Sequence, residues 1–234
     1  MARCGPGLGR SVGLSLSGAT GSPGWPGTLE RSASELAPDL LGSVLVTGPV
    51  DAPEACTALR IVEVEAYGGE DDPASHAYRG PTRRNAAMFG PSGRAYVYFT
   101  YGMHWCLNVV CGPLGTASAV LLRAGVVTAG GHVVAARRPG IRPTDWARGP
   151  ARLTRALGVD GSFDGCDLTD PASGLRLLPG QRIPRGSVTA GPRVGVSAAA
   201  DRPWRFWVDG EPAVSTYRAG RRRIGPPGAE DSSA

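Results

Sequence analysis

The stretch that most constrains the fold runs from residue 61 to residue 108, two β-prone runs separated by a loop. In residues 60–67 (RIVEVEAY) apolar and polar side chains alternate, a period of two that suits a half-buried strand. The alternation predicts Val62, Val64 and Ala66 on one face and Glu63, Glu65 and Tyr67 on the other. A carboxylate and an aromatic ring two residues apart therefore share a side. Residues 95–101 form the second run, which holds Tyr96, Tyr98 and Tyr101 and is closed by Gly102. The loop between the runs carries His76, Arg79, Arg83 and Arg84. An acid beside several flat rings, rimmed by arginines, predicts a pocket for a planar base on a phosphate chain.

The rest of the chain reads as further strands of one sheet with a few short helices. Residues 34–42 form a short helix whose regular part Pro38 confines, because proline belongs in a first turn. Strands are expected over 44–47, 107–110, 117–124, 191–197 and 203–208, and one helical turn over 85–89. The strand at 117–124 places Arg123 at the end of a buried apolar run. Residues 125–136 are compatible with a helix. Residues 149–158 are a better one, with Pro150 at its first position and Gly158 just past its end. Leu153, Ala156 and Leu157 would face inward, with Arg148, Arg152 and Arg155 along the other side. Such a stripe is a solvated face, or a helix start that holds phosphate through its free N–H groups. Residues 1–31, rich in Gly, Ser and Pro, read as a disordered extension; residues 32–219 form one domain and 220–234 a polar tail.

Composition excludes several chemistries. All 25 basic residues are arginine, so no side-chain amine exists for an imine intermediate, and arginine suits bidentate phosphate contacts. Five cysteines without a CxxC pair encode neither a disulfide framework nor a zinc knuckle, which fits a reducing cytoplasm. No apolar run has the length or flanks of a signal peptide or a membrane span. The zinc deaminase signature is absent, and Leu178-Pro179-Gly180 starts a helix-hairpin-helix hairpin that Gln181-Arg182-Ile183-Pro184 breaks.

The runs DLLG, RIVEVEAY, EDDPASHAYRG, RNAAMFGPSGRAYVYFTYGMHWCLNVVCGP, GTASAVLLRAG, ARGPARLTRALG, GPRVGVS and ADRPWRFWV together resemble the 3-methyladenine (alkyladenine) DNA glycosylase family. The resemblance implies an α+β fold, a compact domain around a curved antiparallel sheet, like the formyltransferase C-terminal domain. It implies no metal and no cofactor. Carried over by motif, it makes Glu65 the carboxylate that activates water and Arg123 its neighbour beside the nucleotide's phosphate. Tyr67 and Tyr98 become the rings that stack on an extruded base, and His76 a partner of that base. Asn108 becomes the residue that discourages guanine's exocyclic amine, and Tyr101 the side chain inserted into the gap in the duplex. Arg84, Arg148 and Arg152 are candidate phosphate contacts. The chain departs from the common family pattern at Thr82-Arg83-Arg84-Asn85, at Ser43 and at Pro38.

The expected function is a monofunctional glycosylase, a monomer acting on double-stranded DNA. It would release 3-methyladenine, 7-methylguanine, hypoxanthine or ethenoadenine and leave an abasic site. The alternatives are a nucleic-acid binding module without catalysis and a hydrolase of free nucleosides.

Overall fold

The computed structural model describes residues 29–49 and 51–220. The extension expected over 1–31 and the tail over 220–234 thus fall almost wholly outside the described residues.

The chain order is α1 (Ala33–Leu40), β1 (Val44–Thr47), β2 (Thr57–Tyr67), β3 (Ala95–Thr100), β4 (His104–Cys111), β5 (Ser118–Ala129), α2 (Gly131–Arg137), α3 (Pro150–Leu157), β6 (Leu175–Leu178), β7 (Val188–Gly191) and β8 (Arg205–Val208). One sheet takes every strand, in the order β3-β4-β5-β2-β1-β6, and each pairing is antiparallel. β2 is the centre. One edge pairs with β5 along nearly its whole length; the other is shared by β1 at its start and β8 further on, with β7 outside β8. An eleven-residue strand buried at nine of its positions can serve both edges only in the middle of a sheet.

α1 begins at a reciprocal cap: the Glu35 carboxylate accepts from the Ser32 N–H at 3.3 Å and from its hydroxyl at 2.7 Å. The helix continues through Pro38 to Leu40 rather than stopping before it. Pro38 cannot donate to the preceding turn, but Leu36, Ala37 and Leu40 are buried and hold the turn in place. α3 matches its expected bounds, with Leu153, Ala156 and Leu157 fully buried and Gly158 left-handed at φ 74°. Residues 125–136 divide: β5 runs on to Ala129, and the helix occupies only Gly131–Arg137. The strand expected over 191–197 is displaced. β7 ends at Gly191, and residues 192–197 form a loop over the sheet.

Two of the three register shifts between β2 and β5 fall within residues 60–67, one leaving an extra residue in β2 and the other in β5. Ile61 pairs with Gly125 and Glu63 with Ala124, leaving Val62 extra; Glu63 and then Val64 pair with Ala124 and Leu122, leaving Arg123 extra. Val62 therefore leaves the face of Val64 and Ala66 and packs with Ala124 and Ala213, while Ile61, Val64 and Ala66 join the main core. The second bulge falls on the arginine that the site uses.

Candidate active site

The site is written across the sheet. The registers of β3, β4, β5, β2 and β8 line up Tyr96, Asn108, Leu121, Glu65 and Arg205 as one row. Opposed residues of antiparallel strands share a face, so five strands deliver these side chains to one side. Tyr98 lies two residues from Tyr96, and Tyr67 two from Glu65, on that same face. Above it opens a cavity of about 360 Å³ whose wall includes Tyr67, His76, Tyr96, Tyr98, Asn108 and Arg123, with Tyr101 at its mouth.

Glu65 is fully buried and stands directly behind this wall. Its Oε2 accepts from the Tyr67 hydroxyl at 2.9 Å and lies 3.2 Å from Arg123 Nη1; its Oε1 accepts from the Val194 N–H at 2.6 Å. All three partners line the cavity. A carboxylate has about four lone-pair sites, so three contacts leave one acceptor direction. Burial, then the negative charge of Glu65, pushes the Tyr67 phenol well above its usual range, which keeps it a donor.

Arg123 is not the strand-end residue expected from its run. It is central in β5, 6% exposed, and held from behind. Its Nε donates to Glu63 Oε1 at 2.8 Å and its Nη2 to Ser215 Oγ at 3.2 Å. Arg205 Nε donates to the same Glu63 oxygen at 2.7 Å, and the Ser215 N–H and hydroxyl complete the set. Burial opposes charge on Glu63, but Arg123, the Ser215 amide and Arg205 outweigh it and hold the carboxyl below its ordinary 4.5. Two carboxylates and two guanidiniums thus form a charge-balanced buried cluster.

A second buried pair stands behind the same wall. Asp72 and Arg193 are fully buried and doubly hydrogen-bonded, and the Arg193 guanidinium lies 4.7 Å from the Tyr67 ring and 5.2 Å from that of Trp204. It also donates to the Ala66 carbonyl at 3.0 Å. Neither pair was anticipated as part of the site. Glu63 was visible as the second acid on the Glu65 face, whereas no local pattern links Asp72 to a residue 121 positions away.

Of the remaining candidates, His76, Asn108 and Tyr101 line the cavity, whereas Arg84, Arg148 and Arg152 do not. His76 stacks edge-on against Tyr98 with centroids 4.5 Å apart, and its Nδ1 is 3.0 Å from the Tyr96 hydroxyl. Much of its surface is open, yet burial, joined by the charge of Arg84, lowers its pKa and so favours the neutral imidazole. Asn108 donates to the Tyr96 carbonyl at 2.9 Å, which fixes its amide at the cavity wall. Arg84 lies 5.6 Å from the Tyr98 centroid and donates to the Phe99 carbonyl at 2.9 Å. Arg148 is engaged inside the fold, donating to the Val214 carbonyl at 2.9 Å and pairing with Asp145, whereas Arg152 is exposed. Tyr101 is 86% exposed at the β3–β4 turn and left-handed at φ 52°, followed by Gly102 at φ 65°. Among the described residues the cysteines are unpaired, no cluster of three His, Cys, Asp or Glu side chains could hold a metal, and no helix is long and apolar enough to cross a membrane.

Fold and site together define a class: a one-domain α+β protein whose antiparallel sheet presents a ring-walled cavity backed by a buried carboxylate. Comparison with known proteins makes the class specific. Residues 27–212 match the model of the methylpurine-DNA glycosylase family. A relative from Frankia casuarinae is 54% identical over 82% of this chain and 92% of its own length, and one from Streptomyces avermitilis 54% identical over 81% and 89%. One from Burkholderia lata is 47% identical over 83% and 94%. All three are provisionally named 3-methyladenine DNA glycosylases. The chain belongs to the methylpurine-DNA glycosylase family.

Proposed function

We propose that the protein binds duplex DNA, draws a damaged purine nucleotide into the cavity and hydrolyses its N-glycosidic bond. The observation that carries this reading is the placement of Glu65 behind Tyr67, Arg123 and Val194. A water in the remaining acceptor direction of the carboxylate would be aimed at the anomeric carbon. Its oxygen bonds to that carbon as the bond to the purine breaks, and its proton passes to Glu65. A 3- or 7-alkylated purine is cationic, so the electrons of the broken bond neutralise it as it leaves. Arg123 steadies the carboxylate and presents positive charge toward the sugar-phosphate. Tyr67 and Tyr98 offer π faces that favour electron-poor, cationic bases, and neutral His76 can donate to or accept from the base edge. Without lysine, strand cleavage through a side-chain imine has no nucleophile.

The test is an excision assay on duplexes carrying hypoxanthine, ethenoadenine, 7-methylguanine or 3-methyladenine, with hot alkali to reveal abasic sites, beside free inosine. Release from at least one lesion duplex, without strand nicking before alkali and without inosine hydrolysis, is the expected result. Inosine hydrolysed as fast as a lesion duplex would instead make the protein a nucleoside hydrolase.

Tyr101 would occupy the gap left by the extruded nucleotide. A non-glycine residue in the left-handed region costs roughly 1–2 kcal/mol, which asparagine, able to bond locally, partly escapes. Tyr101→Asn is therefore expected to raise stability by up to about 1 kcal/mol while slowing base release on the order of tenfold, since extrusion costs a few kcal/mol. Chemical denaturation and single-turnover excision read the two effects. A variant neither stabilised nor slower would remove Tyr101 from this role.

A further inference from the structure

Residues 215–220 belong to no strand or helix, yet this segment reaches both neighbours of Glu65. Its start is pinned by charged side chains. Arg148 Nε donates to the Val214 carbonyl at 2.9 Å and Arg205 Nη2 to the Ser215 carbonyl at 2.8 Å, while the Ser215 N–H donates to Glu63 Oε2 at 2.7 Å. Its end is pinned by the cavity loop. The Arg218 carbonyl accepts from the Gly195 N–H at 2.9 Å, and Gly220 lies so close to the Val196 carbonyl that a Cβ there would overlap it. Val194, just before Gly195, is the residue whose N–H donates to Glu65. One short segment therefore steadies the loop on one side of the carboxylate and the Glu63–Arg123 cluster on the other. None of these backbone contacts needs the Ser215 hydroxyl.

That hydroxyl stands between two opposite charges. It donates to Glu63 Oε1 at 2.8 Å and accepts from Arg123 Nη2 at 3.2 Å, so both of its bonds are charge-assisted. Together they decide where the guanidinium points. The bond from Arg123 Nε to Glu63 fixes one point and leaves the plane free to turn about it. A second fixed point at Nη2 sets the plane. Because a guanidinium is rigid and planar, Nη1 is then set as well, 3.2 Å from Glu65 Oε2.

We propose that Ser215 is a positioning residue for base release: its hydroxyl orients the Arg123 guanidinium toward Glu65 and so holds the carboxylate in its working direction. The proposal rests on the function given above and deepens it, since Ser215 does not line the cavity and acts through Arg123. A misplacement of about 1 Å at a reacting group can cost on the order of 10²-fold in rate. A hydroxyl that sets the angle of the group beside Glu65 therefore has leverage on the chemistry.

The test compares wild type with Ser215→Ala, Ser215→Cys and Ser215→Thr by three readouts: single-turnover base release, affinity for an abasic-analogue duplex, and the Arg123 Nε–H resonance, which an Arg123→Gln sample identifies by its loss. Ser215→Ala removes the hydroxyl and keeps the N–H to Glu63. It should slow release on the order of tenfold, leave duplex affinity nearly unchanged and shift the resonance. Ser215→Cys keeps the size of the side chain but bonds weakly through sulfur, and should be slowed and shifted in the same sense; where alanine prevents folding, this variant decides. Ser215→Thr keeps the hydroxyl and should restore both release and resonance. In an Arg123→Gln background Ser215→Ala should slow release no further, because residues that act through one contact are not additive. Wild-type release in the alanine and cysteine variants overturns the proposal, and so does slowing that adds in full to that of Arg123→Gln. A threonine variant with the wild-type resonance but slow release overturns it too, the hydroxyl then being in place without effect. Wild-type protein that bound the duplex but released no purine would defeat the glycosylase reading alone. The resonance shift in Ser215→Ala, reversed in Ser215→Thr, would still decide whether Ser215 orients Arg123.

Discussion

Glu65→Gln is expected to abolish base release, by about three orders of magnitude, while leaving duplex binding within a few fold of wild type. General-base action contributes roughly 10²–10⁴ in rate, and an amide can neither take the water's proton nor offset an oxocarbenium charge. The hydrogen bonds around Glu65 sharpen the expectation. Both of its oxygens accept: one from Val194 N–H, the other from Tyr67 with Arg123 beside it. Glutamine has one acceptor and one NH₂, so either orientation turns a donor toward a donor. With the oxygen kept toward Arg123, the NH₂ opposes the Val194 amide and pushes the 192–197 loop outward. Arg123 itself retains Glu63 and Ser215, so its position survives. Single-turnover release of hypoxanthine and affinity for an abasic-analogue duplex are the two measurements. Near wild-type release would remove Glu65 from the chemistry; loss of both release and binding would mean that its role is to hold the Val194 loop.

Much of this site was legible because it obeys short-range rules. Residues two apart on a strand share a face, so Glu65 with Tyr67, and Tyr96 with Tyr98, were visible as pairs. α3 declared itself by Pro150 and Gly158. The family motifs then added Asn108 and gave His76, Tyr101 and Arg123 roles that no local pattern assigns. Legibility failed where the sheet departs from a two-residue period or where partners are remote. The Val62 and Arg123 bulges depend on what β5 and β8 require of β2, and they moved Val62 to the opposite face. GPRVGVS has the β-branched pattern of a strand, but its arginine is drawn inward by Asp72 and the chain leaves the ladder at Gly191. Propensity lost there to one buried ion pair.

That pair should show the largest stability effect. Asp72→Asn leaves the Arg193 charge buried without its counter-charge, which costs about 3–5 kcal/mol and, in a domain of this size, lowers the melting temperature on the order of 10 °C. Excision should fall as well, because Arg193 supports the Tyr67 ring from behind and immediately precedes Val194. Asp72→Leu combined with Arg193→Met separates the two consequences. A buried ion pair replaced as a unit by apolar groups is often near neutral, so the double variant should be more stable than Asp72→Asn while remaining slow in base release. The acid limb gives an independent reading. Burial works against the Asp72 charge, but Arg193 outweighs it and holds the carboxyl below its ordinary 3.8. A folded-state pKa below the unfolded one contributes stability at pH values above about 4, and this is lost as the pH falls toward the folded value. The double variant should therefore be less acid-sensitive than wild type, with the part due to Glu63 remaining. If instead the double variant were as unstable as Asp72→Asn, packing around Arg193 rather than charge compensation would be what the fold requires. If it regained excision with its stability, Arg193 would have no part in positioning Tyr67 and the Val194 loop.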